Sequence, residues 1–139
     1  MSDRRLRAAV ATFSLAGAAI SGYLTWVRYA GAELVCTTGG CETVQSSPYA
    51  ELLGVPVAAL GTAAYLLIGA TALSAAPLAR AGGALLALSA LAFSAYLVVV
   101  QLAVIGAVCD WCLASDAIVT LLAAAALLRL RESLRLAPA

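Results

Sequence analysis

The chemistry this sequence can offer rests on four cysteines. Cys36 and Cys41 are spaced C-T-T-G-G-C, and Cys109 and Cys112 are spaced C-D-W-C. The chain has no histidine and no lysine, so proton transfer must run through thiol, carboxylate, hydroxyl or water. A C-x-x-C opening a helix has a physical reason. The thiolate is the nucleophile, and the unpaired amides and dipole of a helix start stabilise it. By position, Cys109 is expected to be the more exposed of its pair and Cys112 to lie one turn deeper. Gly39 and Gly40 are expected to leave the first pair mobile. Three uses fit four such thiols: two structural disulfides, an all-cysteine zinc site, or electron transfer by thiol–disulfide exchange. A C-x-x-C bridge closes too short a loop to gain much as a staple. Zinc favours a fixed cage, whereas a mobile pair beside a fixed one suits exchange through a mixed disulfide.

The elements that must position these thiols are hydrophobic. Of 139 residues 64% are hydrophobic and 11% charged, and mean hydropathy is +1.02. Soluble domains lie near ~45–50% and ~25%, so the composition points to an integral membrane protein. Charge is too sparse for a nucleic-acid partner, and hydrophobicity too high for disorder. The chain is too short for an inverted-repeat transporter. The apolar runs are continuous rather than alternating, which predicts an all-α bundle of four transmembrane helices and no β-barrel. The approximate spans are 8–29, 52–77, 82–108 and 111–129, with a longer irregular loop over 30–51 in one single domain. The last span is interrupted by Asp116. A long connection in so small a bundle is where function is expected.

Charge orients the bundle. Arg4, Arg5, Arg7, Arg80, Arg129, Arg131 and Arg135, against Asp3 and Glu132, give +5 on one side. Arg28 against Glu33, Glu42, Glu51, Asp110 and Asp116 gives −4 on the other, and together these make the net +1. Basic residues mark the cytoplasmic face, so both termini are expected inside and all four cysteines on the outer, oxidising face. The arginines ahead of the first apolar run could also open a cleaved signal peptide. That run is longer than a signal core, and Trp26 and Tyr29 end it as an interfacial aromatic belt would.

Cys36 and Cys41, the run CETVQSSPYAELLGVPVAALG, and CDWCLAS after a third apolar helix together resemble bacterial homologues of vitamin K epoxide reductase. The resemblance covers nearly the whole chain. It is most specific in Cys41 followed by Ser47, in Gly54 and Pro56, and in the C-x-x-C opening the last helix. Disulfide bond formation protein B, another four-helix quinone-linked thiol oxidase, has its two cysteine pairs in the reverse order.

The resemblance implies a multi-pass enzyme of a prokaryotic inner membrane that supports disulfide bond formation. A periplasmic thioredoxin-like oxidase would give its electrons to a Cys36–Cys41 disulfide, with Cys36 facing that partner. Cys41 would attack Cys109, leaving Cys112 beside a membrane quinone of the menaquinone or ubiquinone type, with no metal required. Many relatives carry the thioredoxin-like domain at their C-terminus. This sequence ends at Ala139, so that partner is expected as a separate chain. Thioredoxin-like oxidants reach ~−120 mV, which makes a quinone a sensible acceptor and a glutathione-type one uphill. The alternative is a non-catalytic scaffold with fixed disulfides or stoichiometric zinc.

Further residues are expected near the quinone. Asp116 stands four after Cys112, on the same helix face, where vertebrate members carry a tyrosine thought to bond the quinone. It could donate a hydrogen bond or proton there, or be an interfacial acid, solvated or paired with Arg28. Ser47 matches a family serine that helps the relay, or caps a half-helix over 48–53. Trp111 packs at the interface or against the quinone ring. Tyr65, Phe93 and Tyr96 fit the bundle core better than the quinone wall. The asparagine that vertebrate members place near the quinone is Val57 here, so that contact is not carried over. Glu42 and Asp110 flank cysteines, where negative charge opposes thiolate unless a helix end offsets it.

Overall fold

A computed structural model describes residues 1–138. Helix α1 spans Asp3–Ala30 and stops at Gly31, which takes the left-handed φ of 63° that favours glycine as a helix terminator. An irregular loop follows, then the short helix α2 (Cys41–Gln45) and a single 3-10 turn at Pro48–Ala50. Strands β1 (Glu51–Leu52) and β2 (Val55–Pro56) pair antiparallel, with Leu52 opposite Val55. Leu53 and Gly54 between them have φ of 53° and 81°, the two positive values a tight two-residue hairpin requires. Helix α3 is Val57–Thr71, α4 is Pro77–Val99 continued by a π-helical segment Val100–Ile105, and α5 is Asp110–Leu136.

Two expectations are corrected here. The half-helix over 48–53 is only the turn Pro48–Ala50, because Leu53 and Gly54 reverse the chain into the hairpin. The apolar run 52–77 is helical only over Val57–Thr71. The hairpin ending at Pro56 delays its start. At its other end Pro77 opens the next helix and holds Ala76 extended, at φ −60° and ψ 142°.

The molecule is mostly helical, and among the described residues three helices are long and apolar enough to cross a membrane: Asp3–Ala30, Pro77–Ile105 and Asp110–Leu136. The apolar α3 is shorter, at ~22 Å for its length. Helix α1 packs against α3 and α5, and α4 against α5 and α3. Their shared core is built on Val10, Tyr65, Ile68, Ala87, Leu122 and Ala126. The Tyr65 ring lies so close over Gly17 that a Cβ there would meet Tyr65 Cε1 at 2.2 Å. Large apolar side chains such as Leu15, Leu67 and Leu121 face outward, as lipid-facing residues do.

One end of the bundle is tied by arginines. Arg129 is 2% exposed and donates to the Thr71 carbonyl at 2.9 Å, to the Ser74 carbonyl and to Asp3 at 3.2 Å. Arg7 Nε donates to the Ala72 carbonyl at 2.7 Å, and Arg80 also pairs with Asp3. These bonds satisfy carbonyls that the end of α3 leaves without helical partners.

Candidate active site

All four cysteines meet at the opposite end. Cys36 and Cys41 are joined as a disulfide, while Cys109 and Cys112 are free. Cys41 and Cys109 are both fully buried and share one small core with Val44, against which Cys36 and Cys112 pack. The four sulfurs are therefore a disulfide above a dithiol. The expectation that Cys109 is the more exposed of its pair is overturned. It is 0% exposed, whereas Cys112 is half-buried. The reason is tertiary: Cys109 caps the start of α5 directly beneath the loop and α2, and Cys112, one turn on, faces a cavity.

The loop bearing the disulfide is fastened down. The Asp110 carboxylate accepts from the Thr37 and Thr38 amides at 3.0 and 3.2 Å, and from the Thr37 hydroxyl. Thr38 Oγ1 donates to the Val108 carbonyl at 2.9 Å. Gly40 serves close approach rather than mobility, since a Cβ on it would lie 2.4 Å from Val108 O. Trp111 belongs to this fastening. Its indole N–H donates to the Val35 carbonyl at 2.6 Å and its ring sits 4.9 Å from that of Tyr23, and it is not on the cavity wall.

The dithiol is polarised. Cys112 Sγ donates to Cys109 Sγ at 2.6 Å, and the Cys112 backbone N–H reaches the same sulfur at 3.3 Å. The hydrogen bond from the Cys112 thiol lowers the Cys109 pKa to about 7, against burial, which raises it. The Gln101 side-chain oxygen accepts from the Cys109 amide at 2.9 Å, and Gln45 Nε2 lies 3.1 Å from Cys112 Sγ.

Cys112 opens onto a cavity of about 320 Å³ between α1, α3, α4 and α5. Leu24, Leu60, Ile68, Phe93, Leu97 and Val119 make its walls apolar. Ser47, Tyr65 and Asp116 also line it. Asp116 does not pair with Arg28, which binds Glu51 instead. One Asp116 oxygen accepts from Ser94, while the other, Oδ2, is buried with no partner. The Tyr65 hydroxyl bonds Ser115 Oγ at 2.8 Å. Ser47 precedes the Pro48–Ala50 turn but its side chain makes no cap hydrogen bond, and its hydroxyl donates to the Val44 carbonyl at 2.7 Å. An apolar slot with a sulfur at one side and an orphaned carboxyl oxygen at another fits a flat ring bearing carbonyl oxygens.

Sequence reasoning missed Gln45, Gln101 and Ser94. Gln101 had a signal, as a lone amide inside an apolar run. Gln45 had one too, standing four after Cys41.

No curated protein matches the chain. The family model described as the vitamin K epoxide reductase family does match, over residues 8–127. That stretch takes in both cysteine pairs, the hairpin and the cavity, and the chain belongs to this family of multi-pass membrane thiol oxidoreductases.

Proposed function

We propose that the protein is a quinone-dependent thiol oxidase, taking electrons from a thioredoxin-like protein on a separate chain and delivering them into the membrane. The observation that carries this reading is the placement of Cys112 between Cys109 and an apolar cavity. In the resting oxidised form both pairs are disulfides. The partner's thiols reduce Cys36–Cys41 by exchange at Cys36, the half-buried and thus reachable member. The freed Cys41 sulfur attacks Cys109, breaking the Cys109–Cys112 bond and leaving Cys112 as thiolate. Cys36 then attacks Cys41, which re-forms the outer disulfide and frees Cys109. Two electrons have moved from the outer pair to the inner pair, giving the redox state of this structure.

A quinone bound in the cavity would supply an acceptor for two electrons and two protons. Cys112 would face it, Asp116 would hydrogen-bond one of its oxygens, and Ser47 lines the same space. Arg28 and Trp111 serve by keeping the loop and α2 over Cys109. In this reading α3 is the fourth membrane segment. The hairpin before it and the arginine-bound turn after it make up the thickness it lacks. The arginine end is cytoplasmic and the cysteine end periplasmic, a reading that the charge asymmetry supports.

The test combines purified protein, a quinone and a reduced thioredoxin-like protein. Wild type is expected to turn over, and Cys112→Ala to accept electrons at Cys36–Cys41 yet reduce no quinone. Catalysis surviving in Cys112→Ala refutes the route. A scaffold would show neither activity.

A further inference from the structure

Gln45 ends α2, four residues after Cys41, so the two side chains share a face of that helix. Its Nε2 lies 3.1 Å from Cys112 Sγ and 3.9 Å from Cys109 Sγ. Its backbone is held from α1, because Arg28 Nη1 donates to the Gln45 carbonyl at 2.5 Å while Arg28 also pairs with Glu51. The side chain thus has a fixed base and a defined target. The titratable groups that bear on Cys112 are Cys109 and Asp116, both acids, so the Gln45 amide is a neutral donor in an otherwise acidic setting. Hydrogen bonds from N–H groups to a charged acceptor are among the strong ones.

We propose that Gln45 is a catalytic hydrogen-bond donor to Cys112 Sγ, receiving the negative charge when the proton shared by the two sulfurs moves onto Cys109. Once Cys109 has ionised, the remaining proton sits on Cys112 and the charge on Cys109, buried under the loop. Transfer of the proton from Cys112 Sγ to the adjoining Cys109 Sγ moves the charge the opposite way, to the cavity wall. No proton or electron leaves the pair in this step. The nucleophile is thereby placed where an acceptor can bind, and its donor is carried by the same short helix as Cys41. Which reaction this serves rests on the proposed function, but the contact and its effect on the pair do not.

The test is site-resolved alkylation of Cys112 by iodoacetamide at neutral pH, with Cys36–Cys41 oxidised and the inner pair reduced. Gln45→Leu removes the donor and is expected to slow Cys112 alkylation about tenfold. Gln45→Glu keeps size and access while replacing N–H with a carboxylate, and is expected to slow it at least as much. Should Gln45→Leu fail to fold, Gln45→Glu decides. Alkylation of Cys112 within about twofold of wild type in the folded variant overturns the proposal. The readout needs neither quinone nor protein partner. A wild type that reduces no quinone would therefore count against the proposed function and leave this result standing.

Discussion

The Cys112 thiol donates to the Cys109 sulfur across 2.6 Å, so the more buried cysteine of the pair is the one that ionises first. That bond is the largest influence holding the Cys109 pKa at about 7, below the ordinary 9.0. The sign follows: Cys109 is mostly thiol below about 7 and mostly thiolate above it. Because folding depresses this pKa, the stabilisation is full above 9.0 and is lost as pH falls through about 7. Thiolate ultraviolet absorbance of the half-reduced protein should titrate near that lower value, and Cys112→Ala should move the midpoint upward. A midpoint unmoved by Cys112→Ala would contradict the assignment.

Asp110 binds the disulfide loop through the amides of Thr37 and Thr38. Asp110→Ala removes the acceptor while leaving the helices untouched. Hydrogen exchange at those two amides should then accelerate, and dithiothreitol should reduce Cys36–Cys41 several-fold faster, since exchange depends on access. Unchanged exchange and reduction would mean that the loop is held by its other bonds alone.

The loop pair of cysteines and the helix-opening C-x-x-C were legible because both signals are local, whereas the Cys36–Cys41 disulfide was implied only by the family resemblance. Their meeting was not, since it depends on Gly40 lying against Val108 and on α2 covering Cys109. The glycine pair suggested freedom, whereas at Gly40 the fold uses lack of bulk. Charge counting grouped Arg80 and Arg129 with Asp3, and the structure joins these three. That Arg129 would be buried and bind helix-end carbonyls has no signature in composition. The shortening of α3 did have one, in Gly54, Pro56 and Pro77, which a hydropathy run overrides. Gln45 stands four after Cys41, a spacing that means a shared face only once the loop over 30–51 is known to hold the five-residue helix α2.

Asp116 has one oxygen bonded to Ser94 and the other buried without a partner on the cavity wall. A buried polar atom left unpaired is costly, and a protonated Oδ2 donating to a ligand carbonyl oxygen would satisfy it. Asp116→Ala should lower quinone-dependent turnover about a hundredfold while electron exchange between the two cysteine pairs persists. Ser94→Ala, which only frees the carboxyl to turn, should cost less. Full turnover in folded Asp116→Ala would remove Asp116 from the mechanism.

Arg129 joins α5 to the end of α3 and to Asp3. Arg129→Ala leaves buried carbonyls and a carboxylate with fewer partners, a loss of about 3 kcal/mol. Thermal unfolding in detergent should register it, with the cysteine pairs retaining their exchange chemistry below the transition. Equal stability would show that Arg7 and Arg80 suffice to hold that end.

Gly39 and Gly40 provide a paired test of how the outer disulfide reaches the inner dithiol. Gly39 has a φ of 76° and open space around it, so Gly39→Ala meets only the backbone penalty of the left-handed region, ~1 kcal/mol. Gly40 has no such φ, but a Cβ there would lie 2.4 Å from Val108 O and 2.8 Å from Val108 N. Backbone atoms cannot rotate away, so in Gly40→Ala the loop must lift, drawing Cys41 off Cys109 and loosening the Thr38 bond to Val108. A misplacement of ~1 Å between reacting groups costs about a hundredfold in rate. Stopped-flow exchange between the two pairs should therefore fall about that far in Gly40→Ala and stay within a few-fold of wild type in Gly39→Ala. Equal rates in both variants would show that exchange proceeds from a lifted loop, and that the close seat against Val108 serves stability alone.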